Sequence, residues 1–143
     1  MNIQYFENLI RATIKQGTVY YFPLPSLLSS REPHFFIVMN AKPINADIFY
    51  MLVSTTNFER VKEWCLPGTY VEIAKEEYAE FTKDSIVDCN KVKPISRSLL
   101  IEKMNSKLVK YKDNLPKSIL DKLIDAMLLS PQIEESVKKI VRA

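Results

Sequence analysis

Glycine, histidine and metal-binding patterns are scarce in this chain of 143 residues. Gly17 and Gly68 are the two glycines, so neither GxGxxG nor GxxxxGK[ST] can be written, which excludes a glycine-rich phosphate loop. His34 is the single histidine, and Cys65 and Cys89 do not form a CxxC pair. HExxH and DxDxDG are absent as well. The sequence therefore predicts no bound metal and no cofactor.

Long apolar runs and targeting signals are also missing. No apolar stretch reaches the ~18 residues of a membrane span, so we expect no membrane insertion. The first residues, Met1 to Gln4, have neither a basic nor an apolar region of a signal peptide, which favours a cytoplasmic protein. Cys65 follows a tryptophan and Cys89 ends an apolar run, so both are expected as small core residues without a disulfide.

The overall composition is that of an ordinary globular domain. Hydrophobic residues make up 47% and charged residues 26% of the chain, and the length fits one domain over residues 1–143. The net charge is +3, with no run of five like charges. A modest basic excess lies between residues 91 and 112, where the cations are Lys91, Lys93, Arg97, Lys103, Lys107, Lys110 and Lys112. This excess is either a solvated face or a phosphate-binding strip.

The spacing of apolar residues and the positions of glycine and proline divide the chain into a helix (1–16), a β-rich part (17–95) and a helical tail (96–143). The spacing predicts a helix over 3–16 and strands near 18–22, 34–39, 48–53, 69–73 and 85–89, the last extended or followed at 92–95. Asn57 and Ser96 are predicted N-caps of helices over 58–64 and 97–105, and two further helices are expected over 116–129 and 132–141. Segregated strands and helices indicate an α+β fold or a barrel with appended helices.

Single residues leave the chemistry open. His34 opens an apolar strand, where it is either a packed or edge residue or a general base. Asp88 ends an apolar strand, where it either caps a turn or acts as an acid. No nucleophilic triad can be drawn from the sequence.

The order of local motifs is more informative. Gly17-Thr18-Val19-Tyr20-Tyr21 opens a strand, Arg31-Glu32-Pro33-His34 precedes an apolar strand, Phe49 to Val53 runs into Ser54-Thr55-Thr56, and Phe81 to Asp88 leads to Val92 and a helix. Over about residues 17–104 this order resembles the MazF/PemK-type toxin family. The family has an acid where this chain has Thr18, and it has no residue inserted between the arginine and the proline, where this chain has Glu32. The first helix and the helical tail are additions.

The resemblance implies a fold and an activity. The expected fold is a small SH3-like antiparallel β-barrel with an N-terminal helix and C-terminal helices. The expected activity is metal-independent cleavage of single-stranded RNA by a homodimer that an antitoxin silences. Arg31 would stabilise the phosphate, Thr55 or Thr56 would donate a hydroxyl, and Glu32 or His34 would move the proton. The alternative to these catalytic roles is that Arg31 is an ordinary loop charge and that Thr55-Thr56-Asn57 is simply a helix N-terminus.

A second hypothesis needs no catalysis. The same barrel would be a binding module that uses aromatic residues to hold RNA or a protein partner. Convergence of Arg31, Thr55 and His34 in one pocket would favour the enzyme. The helix over 116–129 carries a wide apolar face, so we expect it to pack on the N-terminal helix or on a second copy.

Overall fold

The computed structural model describes residues 3–28 and 30–143. The first two residues of the N-terminal segment, for which the sequence predicts a helix and no signal peptide, lie outside the described residues. The helices are α1 (Ile3–Thr13), α2 (Pro25–Leu28), α3 (Phe58–Trp64), α4 (Arg97–Asn105), α5 (Lys117–Leu129) and α6 (Glu135–Arg142). The strands are β1 (Val19–Pro23), β2 (Pro33–Val38), β3 (Ile48–Thr55), β4 (Tyr70–Ile73), β5 (Ser85–Asp88), β6 (Lys93–Ser96) and β7 (Lys110–Lys112). A 3-10 turn covers Lys75–Glu77.

All seven strands belong to one antiparallel sheet. Its order is β4-β5-β3-β2-β1-β7, and β6 joins it by pairing with β3. Two strands share one edge of β3: β6 pairs with residues 48–51 and β5 pairs with residues 54–55. The structure confirms the predicted α+β class, with antiparallel strands and with helices before and after the β-rich part of the chain. Closure into a barrel is not shown, since no pairing joins β4 to β7 within the described ranges.

Both faces of the central strands are buried, in two separate clusters. Neighbouring residues such as Val19 and Tyr20, or Phe36 and Ile37, enter opposite clusters because side chains alternate along a strand. This explains why β2 reads as a continuous apolar run rather than an alternating one. One cluster is completed by α1 and α4, and the other by β4, β5, α5 and α6.

The C-terminal helices are part of the core. The buried residues of α5, such as Leu123 and Met127, join the cluster of β4 and β5, whereas those of α1 belong to the other cluster. Of the two expected partners of α5, the N-terminal helix is the wrong one, because the apolar face of α5 covers the sheet and contacts α6. Packing on a second copy stays a prediction. Gln16 strengthens this arrangement, because its Nε2 donates to the carbonyl oxygens of Met39 (2.7 Å) and Val141 (2.9 Å).

Candidate functional site

A groove of about 680 Å³ opens where the end of β3 meets α3 and the turn between β5 and β6. The lining residues come from six separate segments of the chain: Leu28, His34, Val53, Ser54, Thr55, Asn57, Arg60, Val61, Trp64, Cys65, Asp88, Asn90, Lys91, Lys93 and Gln132. A smaller depression of about 220 Å³ adjoins it and shares His34, Ser54 and Thr55. The volume of the larger groove is in the range of small-ligand sites.

One wall of the groove is α3, which begins directly after β3. Asn57 is its N-cap, with the side-chain Oδ1 accepting from the backbone N–H of Arg60 at 3.2 Å. Val61 is the buried residue of this helix and fixes its inner face on the core. Arg60 and Trp64 are four residues apart, so they are neighbours on the helix surface that borders the groove. The Trp64 side chain is 75% exposed.

A second part of the lining is the turn from β5 to β6, and a buried amide fixes it. Asn90 Nδ2 donates to Thr69 Oγ1 at 2.9 Å and to Asp88 Oδ1 at 2.9 Å, while Ser130 Oγ donates to Asn90 Oδ1. Each polar atom of this buried side chain therefore has a partner. The network ties the turn to the end of α5 and sets the position of Lys91, the next residue along the chain.

The groove carries unpaired positive charge. Arg60, Lys91 and Lys93 line it, and within residues 3–28 and 30–143 none of their side chains forms an ion pair or hydrogen bond. Asp88 is the only acidic residue in the lining, and its Oδ1 also accepts from the backbone N–H of Asn90 at 2.9 Å, which confirms the turn-capping role. Arg97, by contrast, is paired with a glutamate. Of the basic excess between residues 91 and 112, Lys91 and Lys93 line the groove, whereas Arg97 and Lys112 form ion pairs with glutamates.

Two of the predicted site residues meet in this groove. The β2–β3 register pairs Phe36 with Val53, and continuing it by two residues brings His34 opposite Thr55. His34 Nδ1 lies 2.9 Å from the carbonyl oxygen of Glu32. A carbonyl only accepts, so Nδ1 carries the proton and a neutral ring keeps the lone pair of Nε2. Thr55 Oγ1 accepts from the backbone N–H of Asn57 at 3.2 Å, so its own hydroxyl proton is available.

The other three predicted site residues differ in position. Thr56 lines the smaller depression together with His34 and Thr55. The side chains of Arg31 and Glu32 are exposed at the turn before β2, and neither lines the groove or the depression. The structure therefore brings His34, Thr55 and Thr56 together and leaves Arg31 and Glu32 outside. Their catalytic roles stay predictions.

Arg60 and Trp64 were not predicted as site residues, whereas Lys91 and Lys93 belong to the basic excess that was predicted as either a solvated face or a phosphate-binding strip. The available signal was the predicted helix over 58–64 after a strand ending in threonines, but nothing local shows which face of that helix borders a groove. Cys65 also lines it and is half-buried rather than a core residue, while Cys89 is buried and both thiols are free. Burial raises the pKa of the Cys65 thiol, and the Asp88 carboxylate raises it further. The thiol is thus protonated near neutral pH, unlike an activated cysteine nucleophile.

Across the part of the chain that the structure describes, no three histidine, cysteine, aspartate or glutamate side chains form a group that would hold a metal ion. In the same residues, no helix has both the length and the apolar character needed to cross a membrane.

Comparison with known proteins identifies the fold. No family model and no curated protein sequence matches the chain. Among solved structures, it is similar to an endoribonuclease in complex with its cognate antitoxin from mycobacterial species. The two chains share the fold. The TM-score is 0.57 and the sequence identity 11%, and the match covers 85% of this chain and 98% of the endoribonuclease.

Proposed function

We propose that this protein is an endoribonuclease of the toxin–antitoxin kind, which binds single-stranded RNA in the groove and cleaves it there. The observation that supports the proposal best is the placement of Arg60, Lys91 and Lys93, all unpaired, around His34 and Thr55. Unpaired cations in a concave site attract a phosphate chain and raise its local concentration. The shared fold with an antitoxin-bound endoribonuclease supports the same function.

The cleavage needs only groups that RNA and this groove supply. The 2′-oxygen attacks the adjacent phosphorus, a P–O2′ bond forms, and the P–O5′ bond breaks to leave a 2′,3′-cyclic phosphate and a 5′-hydroxyl. Nε2 of His34 takes the 2′-hydroxyl proton, and the departing 5′-oxygen receives a proton from the Thr55 hydroxyl or from water. The guanidinium of Arg60 presents paired planar donors to the charge that develops on the phosphorane oxygens.

The proposal includes finer features that the resemblance implied. These are membership of the MazF/PemK family, an SH3-like barrel formed by this sheet, a homodimer, a cytoplasmic location and inhibition by an antitoxin. The proposal also includes cleavage without a metal ion. Each is tested separately from cleavage, for example by light scattering for the dimer.

The decisive experiment is incubation of the purified protein with mixed-sequence single-stranded RNA in EDTA. We expect cleavage products that end in a 2′,3′-cyclic phosphate, identified by mass spectrometry. Intact RNA at a protein concentration well above that of the substrate, both in EDTA and with added divalent cations, would refute the enzyme. Cleavage that requires a divalent cation would refute metal independence alone.

A matched pair of arginine variants tests the site. Arg60→Ala should lower cleavage by about 10²- to 10³-fold, the usual loss when a donor to a developing oxyanion is removed. Arg31→Ala removes an exposed arginine outside the groove and should retain near-normal cleavage. The reverse result would restore the role that the resemblance gives Arg31. His34→Ala should lose about 10²- to 10⁴-fold if Nε2 is the base.

One observation favours the alternative of a non-catalytic binding module. His34 is the only imidazole in the chain, so the groove offers one ordinary proton-transfer group where the reaction uses two transfers. A module would bind single-stranded RNA, with affinity falling as salt rises, and leave it intact. Binding without cleavage in the experiment above would establish this second function.

A further inference from the structure

The strongest unexplained feature of the groove is Trp64, the single tryptophan of the chain. Its side chain is 75% exposed, although tryptophan is usually well buried on average. The neighbouring Val61 already anchors α3, so Trp64 is not needed to hold the helix on the core. Within the described ranges, no aromatic ring and no hydrogen-bond partner engages the indole.

We propose that Trp64 is a stacking platform for one nucleobase of the bound strand, next to the phosphate held by Arg60. This inference rests on the proposed function and adds a contact to the base, which the cations cannot provide. Every nucleobase has a π-face, so such a platform gives affinity without strong sequence preference. Trp64 and not the catalytic groups would then set where the strand lies along the groove.

The spacing on α3 fits this role. Arg60 and Trp64 are one helical turn apart, and side chains at this separation have Cβ atoms about 5–6 Å apart. A phosphate at Arg60 therefore leaves an attached base within reach of the indole. Lys91 and Lys93 line the same groove, so a strand in it meets both an aromatic face and several cations.

The charge of the site favours a nucleic acid over an apolar protein strand as the occupant. Three unpaired cations and one turn-capping carboxylate line the groove beside the indole. A purely apolar partner would bury Arg60 and Lys91 without counter-charges, which is unfavourable. An alternation of phosphates and bases satisfies both the cations and the exposed ring.

Fluorescence makes the test specific, because all tryptophan emission comes from Trp64. The ligand is an uncleavable 2′-O-methyl RNA oligonucleotide of mixed sequence, and the charge-only control is inorganic polyphosphate. We expect the oligonucleotide to quench the emission in a saturable way and polyphosphate to leave it unquenched. Quenching by polyphosphate to the same extent would overturn base stacking.

Variants then separate stacking from charge, with binding measured by anisotropy of a labelled oligonucleotide. Trp64→Ala should weaken binding by about 5- to 150-fold, the range for loss of one stacked base, and Trp64→Phe should recover most of it. Trp64→Ala should keep the wild-type salt dependence, whereas Arg60→Ala should reduce the log–log slope by about 0.7. Tyr111→Ala, which removes an aromatic side chain 50% exposed outside the groove, is the matched control and should bind normally.

The outcomes distinguish this inference from the proposed function. Normal binding by Trp64→Ala, in a protein that cleaves RNA, would overturn the stacking role and leave the function intact. Quenching and a Trp64-dependent affinity without any cleavage would support stacking and refute the ribonuclease. A wild-type protein that neither binds nor cleaves RNA would overturn both.

Discussion

Arg97 offers the sharpest test of how the fold is held together. Its side chain is 13% exposed and bonds to four residues, three in the segment before β3 and one in α1. Nε donates to the carbonyl oxygen of Ala46 at 2.8 Å, Nη2 donates to those of Pro43 (3.2 Å) and Ile44, and Nη1 pairs with Glu7 Oε1 at 3.1 Å. Arg97→Ala removes all of these bonds together.

The expected loss follows from those contacts. Hydrogen bonds to a charged group contribute about 1.5–3 kcal/mol each. Ile44 is exposed, so water replaces the lost donor at its carbonyl, and the ion pair with Glu7 is also within reach of solvent. The bonds to Ala46, Pro43 and Glu7 are all partly buried, and the expected loss rests on the two to carbonyl oxygens. At the lower limit of the range, these two predict a fall of about 3 kcal/mol in the free energy of unfolding.

Urea unfolding followed by circular dichroism measures this fall. Arg97→Lys should lose nearly as much as Arg97→Ala, because one ammonium group cannot reproduce donors that point at several carbonyls. Lys117→Ala is the control, since it breaks an exposed ion pair with Asp121 and should cost less than about 0.5 kcal/mol. A lysine variant as stable as the wild type would refute the argument from guanidinium geometry.

Three further predictions concern stability. Gly68 has φ +89°, so Gly68→Ala should lower the free energy of unfolding by about 1–2 kcal/mol in urea titration. Ser130→Ala leaves Asn90 Oδ1 without its donor and should cost about 1–3 kcal/mol; an unchanged midpoint would show that water replaces the hydroxyl. Burial raises the pKa of Cys89 and of Tyr78, and both groups are neutral when folded. Because the unfolded thiol ionises near pH 8.5 and the unfolded phenol near pH 10, these two groups should leave stability unchanged between about pH 6 and 8 and lower it at higher pH, as urea midpoints at stepped pH would show.

Local signals predicted some elements closely. The bounds of α3 and α4 agree with the expectation because Asn57 and Ser96 are side-chain caps, and a cap acts within three residues. The strand β7 was missed, and its sequence, Lys110-Tyr111-Lys112, explains why. These residues are strand only because they pair with the edge of β1, nearly ninety residues earlier in the chain. Pairing between distant segments leaves no trace in local periodicity.

The site residues also divide into those that local sequence signals predict and those that only the folded structure brings together. His34 was predicted as the single histidine at the start of an apolar strand, and Thr55 because the resemblance gives a role to the hydroxyl at the end of the next strand. Arg60 and Trp64 join them only because α3 folds next to the same strand ends. The resemblance pointed to Arg31 as the cation, whereas the groove cations come from segments that its motifs do not include.

The bond between Ser130 and Asn90 links two residues forty positions apart, which matters while the chain is being made. At synthesis rates of about 5–20 residues per second, the ribosome needs roughly 2–8 seconds to travel from one to the other. During that interval the strands on either side of the β5–β6 turn have been synthesised, but Asn90 Oδ1 still lacks its buried partner. The β5–β6 turn that carries Lys91 is therefore fully held in place only after residue 130 has been synthesised. If the groove binds RNA as proposed, a nascent chain should bind it more weakly than the folded protein does.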